Sequence, residues 1–326
     1  MRIYFFTIFL VLFITKGFSQ YADKSFSSMA PQCTGWGCWV QYITYSPKYM
    51  GPNALPVPDA IQGCVDKESE FETRLVGYSA QGDNTQNLFV RINVPVLPNV
   101  ISVEINNVVA EHYNMDIQRR TELSAWHGYG QGTVPDGDIN LNTVIQIIRD
   151  NKFPDIAVRF DLRTTSGKHL SDARHTDSPG YFMDLSMGKQ VSINSTFFQK
   201  ARFYLSGGFY CWQTNKDIHM QDDAPMLNIG ANITSGKLVL GLETAGYYGY
   251  LNNGDRPLVV RANLNYKSRY LTYKFGYQKG LHDYDYSSLY FGFILHFDLS
   301  NYTQRLSYKS TDENNEKLID KNKFKN

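Results

Sequence analysis

The sequence predicts an all-β chain, an antiparallel transmembrane β-barrel of about 12 strands over residues 72–298 with short periplasmic turns and longer extracellular loops. Three observations predict it. Segments of about ten residues alternate apolar and polar side chains with period two. The connections between them alternate between short turns and longer loops. The chain also begins with a short apolar run of the kind that directs export, and afterwards offers no stretch of roughly 18 apolar residues that would cross a bilayer as a helix.

The leader reads as Arg2, the apolar run Ile3 to Ile14, and Gly17-Phe18-Ser19 before Gln20, so residues 1–19 are expected to be a signal peptide. A mean hydropathy of −0.37 would ordinarily indicate a soluble protein. Strands that alternate lipid-facing and lumen-facing residues average to a polar composition, so that value does not exclude a barrel. Lys+Arg 32 against Asp+Glu 31 gives a net charge of +1, which provides no field for nucleic acid, and no nucleic-acid partner is expected. Tyr (23) and Phe (20) are abundant while charged residues make up 19%, a balance that suits aromatic belts at two membrane interfaces.

The strands follow in order. A first one lies in "EFETRLVGYSA". In "NLFVRINVPV", Leu88, Val90, Ile92 and Val94 oppose Arg91 and Asn93. "VISVEINNVVA" and "DINLNTVIQII" come next. In "DIAVRFDLRTTSG", Ile156, Val158, Phe160 and Leu162 oppose Arg159, Asp161 and Arg163, one face suiting lipid and the other water or ion pairs. "GYFMDLSMGK", "ARFYLSGGFYCW", "PMLNIGANIT" and "KLVLGLETAGYYGY" continue the series. In "PLVVRANLNY", Val260, Ala262 and Leu264 oppose Arg261, Asn263 and Asn265, and "YLTYKFGYQ" and "SLYFGFILHF" complete it. Short connections at 97–99, 150–154, 192–200, 235–236 and 267–268 mark the periplasmic side. Longer ones at 111–137, 166–179, 215–223, 251–257 and 280–287 mark the outside. Tyr247, Tyr248 and Tyr250 are expected in the outer aromatic girdle, and Tyr266, Tyr270 and Phe297 in the inner one. The last strand ends on Phe297, which resembles the signal read by the barrel assembly machinery; that machinery and outer-membrane lipid are the expected partners.

Two parts lie outside the barrel. Residues 20–71 hold Cys33, Cys38, Cys64 and the proline-rich "SPKYMGPNALPVPD", which cannot be regular sheet and is expected to be a periplasmic extension or a partial plug. Export makes a Cys33 to Cys38 disulfide plausible, while Cys211 falls on the outward face of its strand. No histidine stands at zinc-ligand spacing beside that pair, so no metal is assigned, and no cofactor is expected. Residues 299–326, dense in Asn, Lys, Asp and Glu, read as a disordered polar tail.

The run "PKYMGPNALPVPD", then "GDNTQ", then "FPDIAVRFDLRTTSGKHLSDARHTDSPGYFMDLSMGK" resembles a family of uncharacterised, porin-like outer-membrane β-barrel proteins of Gram-negative bacteria. Its last piece is also similar to barrels grouped with transporters of aromatic-compound degradation pathways. The resemblance covers Ser46 to about Lys189. It implies a barrel in the Gram-negative outer membrane and the passage of a solute, and it assigns no substrate-binding residue.

Carried through each strand, the alternation puts Glu72, Arg74, Arg91, Glu104, Arg159, Asp161, Arg163, Asp184, Arg202, Glu243, Arg261 and Lys274 on the lumen face. Two readings stand. These charges pair with one another and fill a wet interior, or an arginine ladder of Arg91, Arg159, Arg163, Arg202 and Arg261 lines a passage for a small polar or anionic solute. The loop "SGKHLSDARHTDSPG" gathers Lys168, His169, Asp172, Arg174, His175 and Asp177 at the outer mouth, where a solvated or constricting loop is expected. His175 with Asp177 is the nearest approach to a rim-located hydrolase dyad, but no catalytic residue is assigned. His219 beside Asp222 and Asp223 reads as solvent-facing charge. The expected function is a passive channel or small-solute transporter, with a lumen-closed structural barrel as the alternative.

Overall fold

The computed structural model describes residues 38–125, 130–149, 152–193 and 195–297. The signal-peptide residues 1–19, the tail 299–326 and the Cys33 to Cys38 pairing lie outside the described residues. Thirteen strands form one antiparallel sheet: β1 (Ser69–Ala80), β2 (Asp83–Leu97), β3 (Ile101–Met115), β4 (Gln131–Pro135), β5 (Asn140–Ile148), β6 (Asp155–Arg163), β7 (Gly180–Ser192), β8 (Lys200–Gln213), β9 (Gln221–Ser235), β10 (Leu238–Tyr247), β11 (Leu258–Lys267), β12 (Leu271–His282) and β13 (Tyr286–Phe297). β13 pairs with β1, which closes the sheet, and β3 pairs with both β2 and β5. Twelve strands therefore make the barrel. The short β4 pairs only with the outer extension of β3, Ala110 to Asn114. Closure matters because an open edge in hydrocarbon would leave backbone groups unpaired.

The alternation is seen directly in exposure. Along β13, Leu289, Phe291, Phe293 and Leu295 are exposed on the outside, while Ser288 and Ile294 are buried inside. Among the described residues no helix is long and apolar enough to cross a membrane, so this outward band of strand residues is the membrane-facing surface. The turns at residues 98–100, 149–154, 193–199, 236–237 and 268–270 gather at the end where β1 begins and β13 ends. The longer connections at 116–139, 164–179, 214–220 and 248–257 gather at the other.

The structure corrects several boundaries. The barrel starts at Ser69, and β12 and β13 run on to His282 and Tyr286, which leaves a connection of three residues, 283–285, where a longer outer loop was expected. The segment 111–137 is not one loop: it contains the end of β3, a one-turn helix α1 (Ile117–Glu122) and β4. Asp222 is not solvent-facing; it is buried and accepts a hydrogen bond from the Tyr250 backbone. Tyr247 does not join the outer girdle but turns inward, 4% exposed, against Tyr210 and Trp212.

A bulge explains why the extension of β3 was hidden. Phe89 pairs with Val108 and Leu88 with Ala110, so Val109 has no opposite number. Below the bulge the even residues Ser102 and Glu104 face the lumen; above it the odd residues Glu111, Tyr113 and Met115 do, as their burial shows. Because Ala110 and Glu111 already stand opposite Leu88 and Asn87, deleting Val109 is expected to restore a regular ladder with Glu111 and Tyr113 still on the lumen face, and to preserve the gel-mobility difference between unheated and boiled protein. Loss of that difference would show that the bulge is required.

Candidate functional site

The lumen is not open. The chain before β1 folds back into it and runs its length, from the long-loop end to the short-turn end. At the outer end the Trp212 indole N–H donates to the Tyr45 carbonyl (3.0 Å) and Lys48 N to the Gly254 carbonyl (3.1 Å). At the inner end Val65 N donates to the Gln146 amide oxygen (2.9 Å) and Arg149 to the Val65 carbonyl (3.2 Å). Four prolines, Pro47, Pro52, Pro56 and Pro58, keep this segment out of the sheet because they lack the N–H that a ladder requires; Pro47 and Pro52 lie in turns, and Pro56 and Pro58 in the irregular stretch that follows.

A chain outside the sheet, with only a few turn hydrogen bonds of its own, leaves most of its carbonyls to be satisfied by something else. The wall supplies donors. Arg163 Nη1 donates to Ala54 O, Tyr247 Oη to Leu55 O (2.7 Å), Arg261 Nη2 to Val57 O and its Nη1 to Pro58 O (3.1 Å), Arg159 Nη1 to Asp59 O (2.8 Å), Arg202 Nη2 to Gln62 O (2.7 Å) and Gln146 Nε2 to Gly63 O (2.9 Å). The same arginines keep carboxylates of the wall. Arg159 is bidentate to Asp184 (2.8 and 3.1 Å), Arg202 meets Asp155 (2.8 Å), Arg261 meets Glu243 (2.6 Å) and Arg163 stands 4.0 Å from Asp138. Of the segment's two carboxylates, Asp59 pairs with Arg74 (3.4 Å) and Arg261 (3.5 Å), and Asp66 accepts from the Asn93 amide (3.1 Å).

Room for the segment comes from small side chains. Across six neighbouring strands the inward residues at one level are Ala157, Ser186, Ser206, Asn228, Ala245 and Val259, each fully covered. The Ser186 and Ser206 hydroxyls and both polar atoms of the Asn228 amide have no protein hydrogen-bond partner. Gly188 gives the closest approach: a Cβ there would stand 2.1 Å from the Gln62 carbonyl. Leu55 and Val57 pack into a cluster that includes Phe182, Tyr210, Trp212, Tyr247 and Tyr286.

The remaining inward charges form two networks. Toward the inner end, Glu72 is held by Arg74 (3.2 Å), Arg91 (2.8 Å) and Lys274 (2.6 Å), and Arg91 also reaches Glu70 and Glu104 (2.9 Å). Arg91 thus pairs with wall acids rather than with the segment, while Asp161 is buried near Arg159 and Arg163. At the outer mouth Arg174, fully buried, bonds Asp83 (2.7 Å), Glu111 (2.5 Å) and Thr85 (2.6 Å), and Asn53 of the segment shares Glu111 with it. The Ala173 carbonyl accepts Gly51 N (2.7 Å). The loop 164–179 therefore fastens the segment to the wall.

Within that loop, Lys168 pairs with Asp136 (3.2 Å). His169 and Tyr113 both bond Asp172 (3.1 and 2.7 Å). Asp177 lies in electrostatic reach of Tyr45 and Asp138. The loop was expected to be solvated, but Asp172, Arg174 and His175 are buried. His175 does not form a rim dyad with Asp177: its ring is enclosed, and the carboxylates beside it are Glu111 and Asp138, each at 4.0 Å. Neither ring nitrogen has a hydrogen-bond partner. Burial pushes the His175 imidazole below its usual value despite those two acids, and pushes the Asp138 carboxyl up. Strand alternation missed Asp83, Glu111 and Asp138. Asp83 opens β2, Glu111 lies beyond a bulge, and Asp138 sits in a loop.

The chain matches no protein-family model and no curated protein sequence. Its fold is that of an outer-membrane channel: it is similar to an outer membrane channel from Pseudomonas putida F1, with 10% identity and a TM-score of 0.53, over 74% of this chain and 100% of that one. Looser likenesses include a KdgM porin (10% identity, TM-score 0.40, 69% of this chain and 99% of that one) and the CymD monoaromatic hydrocarbon channel (8% identity, TM-score 0.35, 72% and 90%).

Two outcomes follow for the outer mouth. Replacing Arg174 by Met leaves Glu111 and Asp83 buried without their cation, at a cost of about 3–5 kcal/mol; protease nicking of the loop 164–179 in the folded barrel should rise accordingly, and an unchanged nicking rate would contradict the latch. For pH, His175 is neutral when the loop is folded and takes a proton more readily when it is released. The loop's stability is therefore complete above about pH 6.5 and declines as pH falls below it. Asp138 acts in the opposite sense, its stabilisation being present at low pH and lost as pH rises above the usual carboxylate range. The protection of the loop amides, exchange corrected for the fall in its intrinsic rate, should drop from about pH 7.5 to about pH 5, and His175→Gln should remove that drop.

Proposed function

We propose that this chain is a passive channel of the Gram-negative outer membrane for a small polar solute, held closed by residues 43–66, and that the lumen conducts when this segment moves aside. The observation that carries the reading is the double role of the wall arginines. Arg159, Arg202 and Arg261 each keep a wall carboxylate, so withdrawing the segment leaves these cations paired and a wet, charge-balanced passage behind. A segment meant to stay permanently would be expected to carry the countercharges itself, and of its two carboxylates Asp59 pairs with arginines while Asp66 accepts from the Asn93 amide. Because the ladder is already neutralised, the solute need not be an anion. Lipid around the apolar band and the assembly machinery at the terminal strand are the partners this reading requires.

The competing reading, a sealed structural barrel, is favoured by the Arg174 latch, which ties loop, wall and segment together at Glu111. Conductance in planar bilayers separates the two. The native barrel should show rare, brief openings. Gly188→Val, which pushes on the Gln62 backbone, combined with Asp59→Ala should raise the open fraction severalfold. A doubly substituted barrel that folds, runs heat-modifiably and still passes neither current nor solute into liposomes would leave the sealed barrel standing.

A further inference from the structure

The lumen wall recognises the inserted segment by its backbone. From Ala54 to Val65, eight carbonyls (Ala54, Leu55, Val57, Pro58, Asp59, Gln62, Gly63 and Val65) are taken by wall side-chain donors. Polar side-chain recognition is sparser: Ser46 to the Asn253 carbonyl, Asn53 to Glu111 and Asn87, Asp59 to two arginines, Gln62 to Asn232 and Asp66 to Asn93. Between Asn53 and Asp59 the sequence is Ala-Leu-Pro-Val-Pro, with Leu55 and Val57 against aromatic rings and Pro56 exposed. Aromatic walls, donors aimed at carbonyls, and prolines that leave those carbonyls free make the chemistry by which extended proline-rich chains are bound.

We infer that the lumen is a binding site for an extended, proline-rich peptide, that residues 54–58 are its resident occupant, and that a second chain of the same chemistry can take their place. The inference deepens the channel reading, and rests on it in requiring that the segment can leave. The arginines are suited to this ligand and poorly suited to a polyanion. Each has spent part of its fork on a wall carboxylate and offers only its remaining N–H groups, which match a neutral carbonyl, whereas a carboxylate chain would meet Asp184, Asp155 and Glu243 beside every arginine. The unspent Ser186, Ser206 and Asn228 groups add neutral donors and acceptors at the same level.

The test uses the full chain after folding. A protease site placed in the exposed stretch Asp66–Glu68 and cut in the purified barrel turns the segment into a fragment held without a covalent tether. A fluorescent peptide spanning residues 51–63 should then bind saturably and release the fragment, detected by mass, whereas a hexaglutamate at the same concentration should release none. Arg159→Lys or Arg261→Lys, which keep the charge but lose the fork, should each weaken the labelled peptide by about tenfold or more. Three results overturn the inference: release by hexaglutamate as good as by the peptide, retention of the fragment against millimolar peptide, or arginine-to-lysine variants that bind the peptide undiminished. Conductance of the same cut protein is read separately. A barrel that conducts but does not take the peptide refutes this inference alone, while one that takes the peptide and never conducts refutes the channel.

Discussion

The structure depends on the satisfaction of buried carbonyls by the guanidinium groups of the barrel wall. A closed sheet settles its own backbone hydrogen bonds, so a wall by itself makes no demand on what it encloses. The chain threaded through it has no such partners, and its prolines prevent it from acquiring them by joining the sheet. Arg159, Arg202 and Arg261 answer that demand, and each is anchored in turn by a carboxylate on another strand of the wall. The order of attachment matters. Wall acid to arginine fixes the fork, and the fork then meets the carbonyl, so the receptor is preorganised before the segment arrives.

The outer mouth applies the same principle at higher stakes. Arg174 lies wholly inside the protein with two acids and a hydroxyl, and Glu111 is divided between that arginine and Asn53 of the segment. A buried charge network of this kind contributes little net stability against an apolar core but penalises any arrangement that leaves one member alone. It acts as a registration device: loop 164–179, the bulged end of β3, the start of β2 and the inserted segment must all arrive in one geometry. The inner half of the lumen lacks such a knot around the segment. There Asp59 is 61% exposed and the contacts are mainly single hydrogen bonds to carbonyls. The segment is therefore held unevenly, firmly at the outside and loosely toward the periplasm.

Much of the barrel was legible in the sequence because strand alternation is a local property. Arg159, Asp161 and Arg163 had to face the same way once β6 was recognised as a strand, and Leu289 through Leu295 had to face the other. The rule failed where the local pattern is broken. Val109 shifts the parity of β3, so Glu111 looked like loop, and Tyr247 looked like girdle because it adjoins Tyr248 and Tyr250 although its own parity is inward. His175 misled for a different reason. Its sequence neighbour Asp177 was the visible candidate, whereas the acids beside it come from β3 and from the connection before β5.

The sequence by itself determined the closed antiparallel fold, the two ends of the barrel and the face of each residue where the alternation is unbroken, since these follow from periodicity, turn length and chain order. Only the tertiary structure decided what the interior charges hold. Alternation says that Arg159, Arg202 and Arg261 point inward, but the carbonyls they meet belong to residues 100, 140 and more than 200 positions away along the chain. A backbone carbonyl is the same group at every position and leaves no mark in the sequence. Its partner is fixed by proximity in three dimensions, and for that reason a proline-rich extension that could have lain outside the barrel proved to fill it.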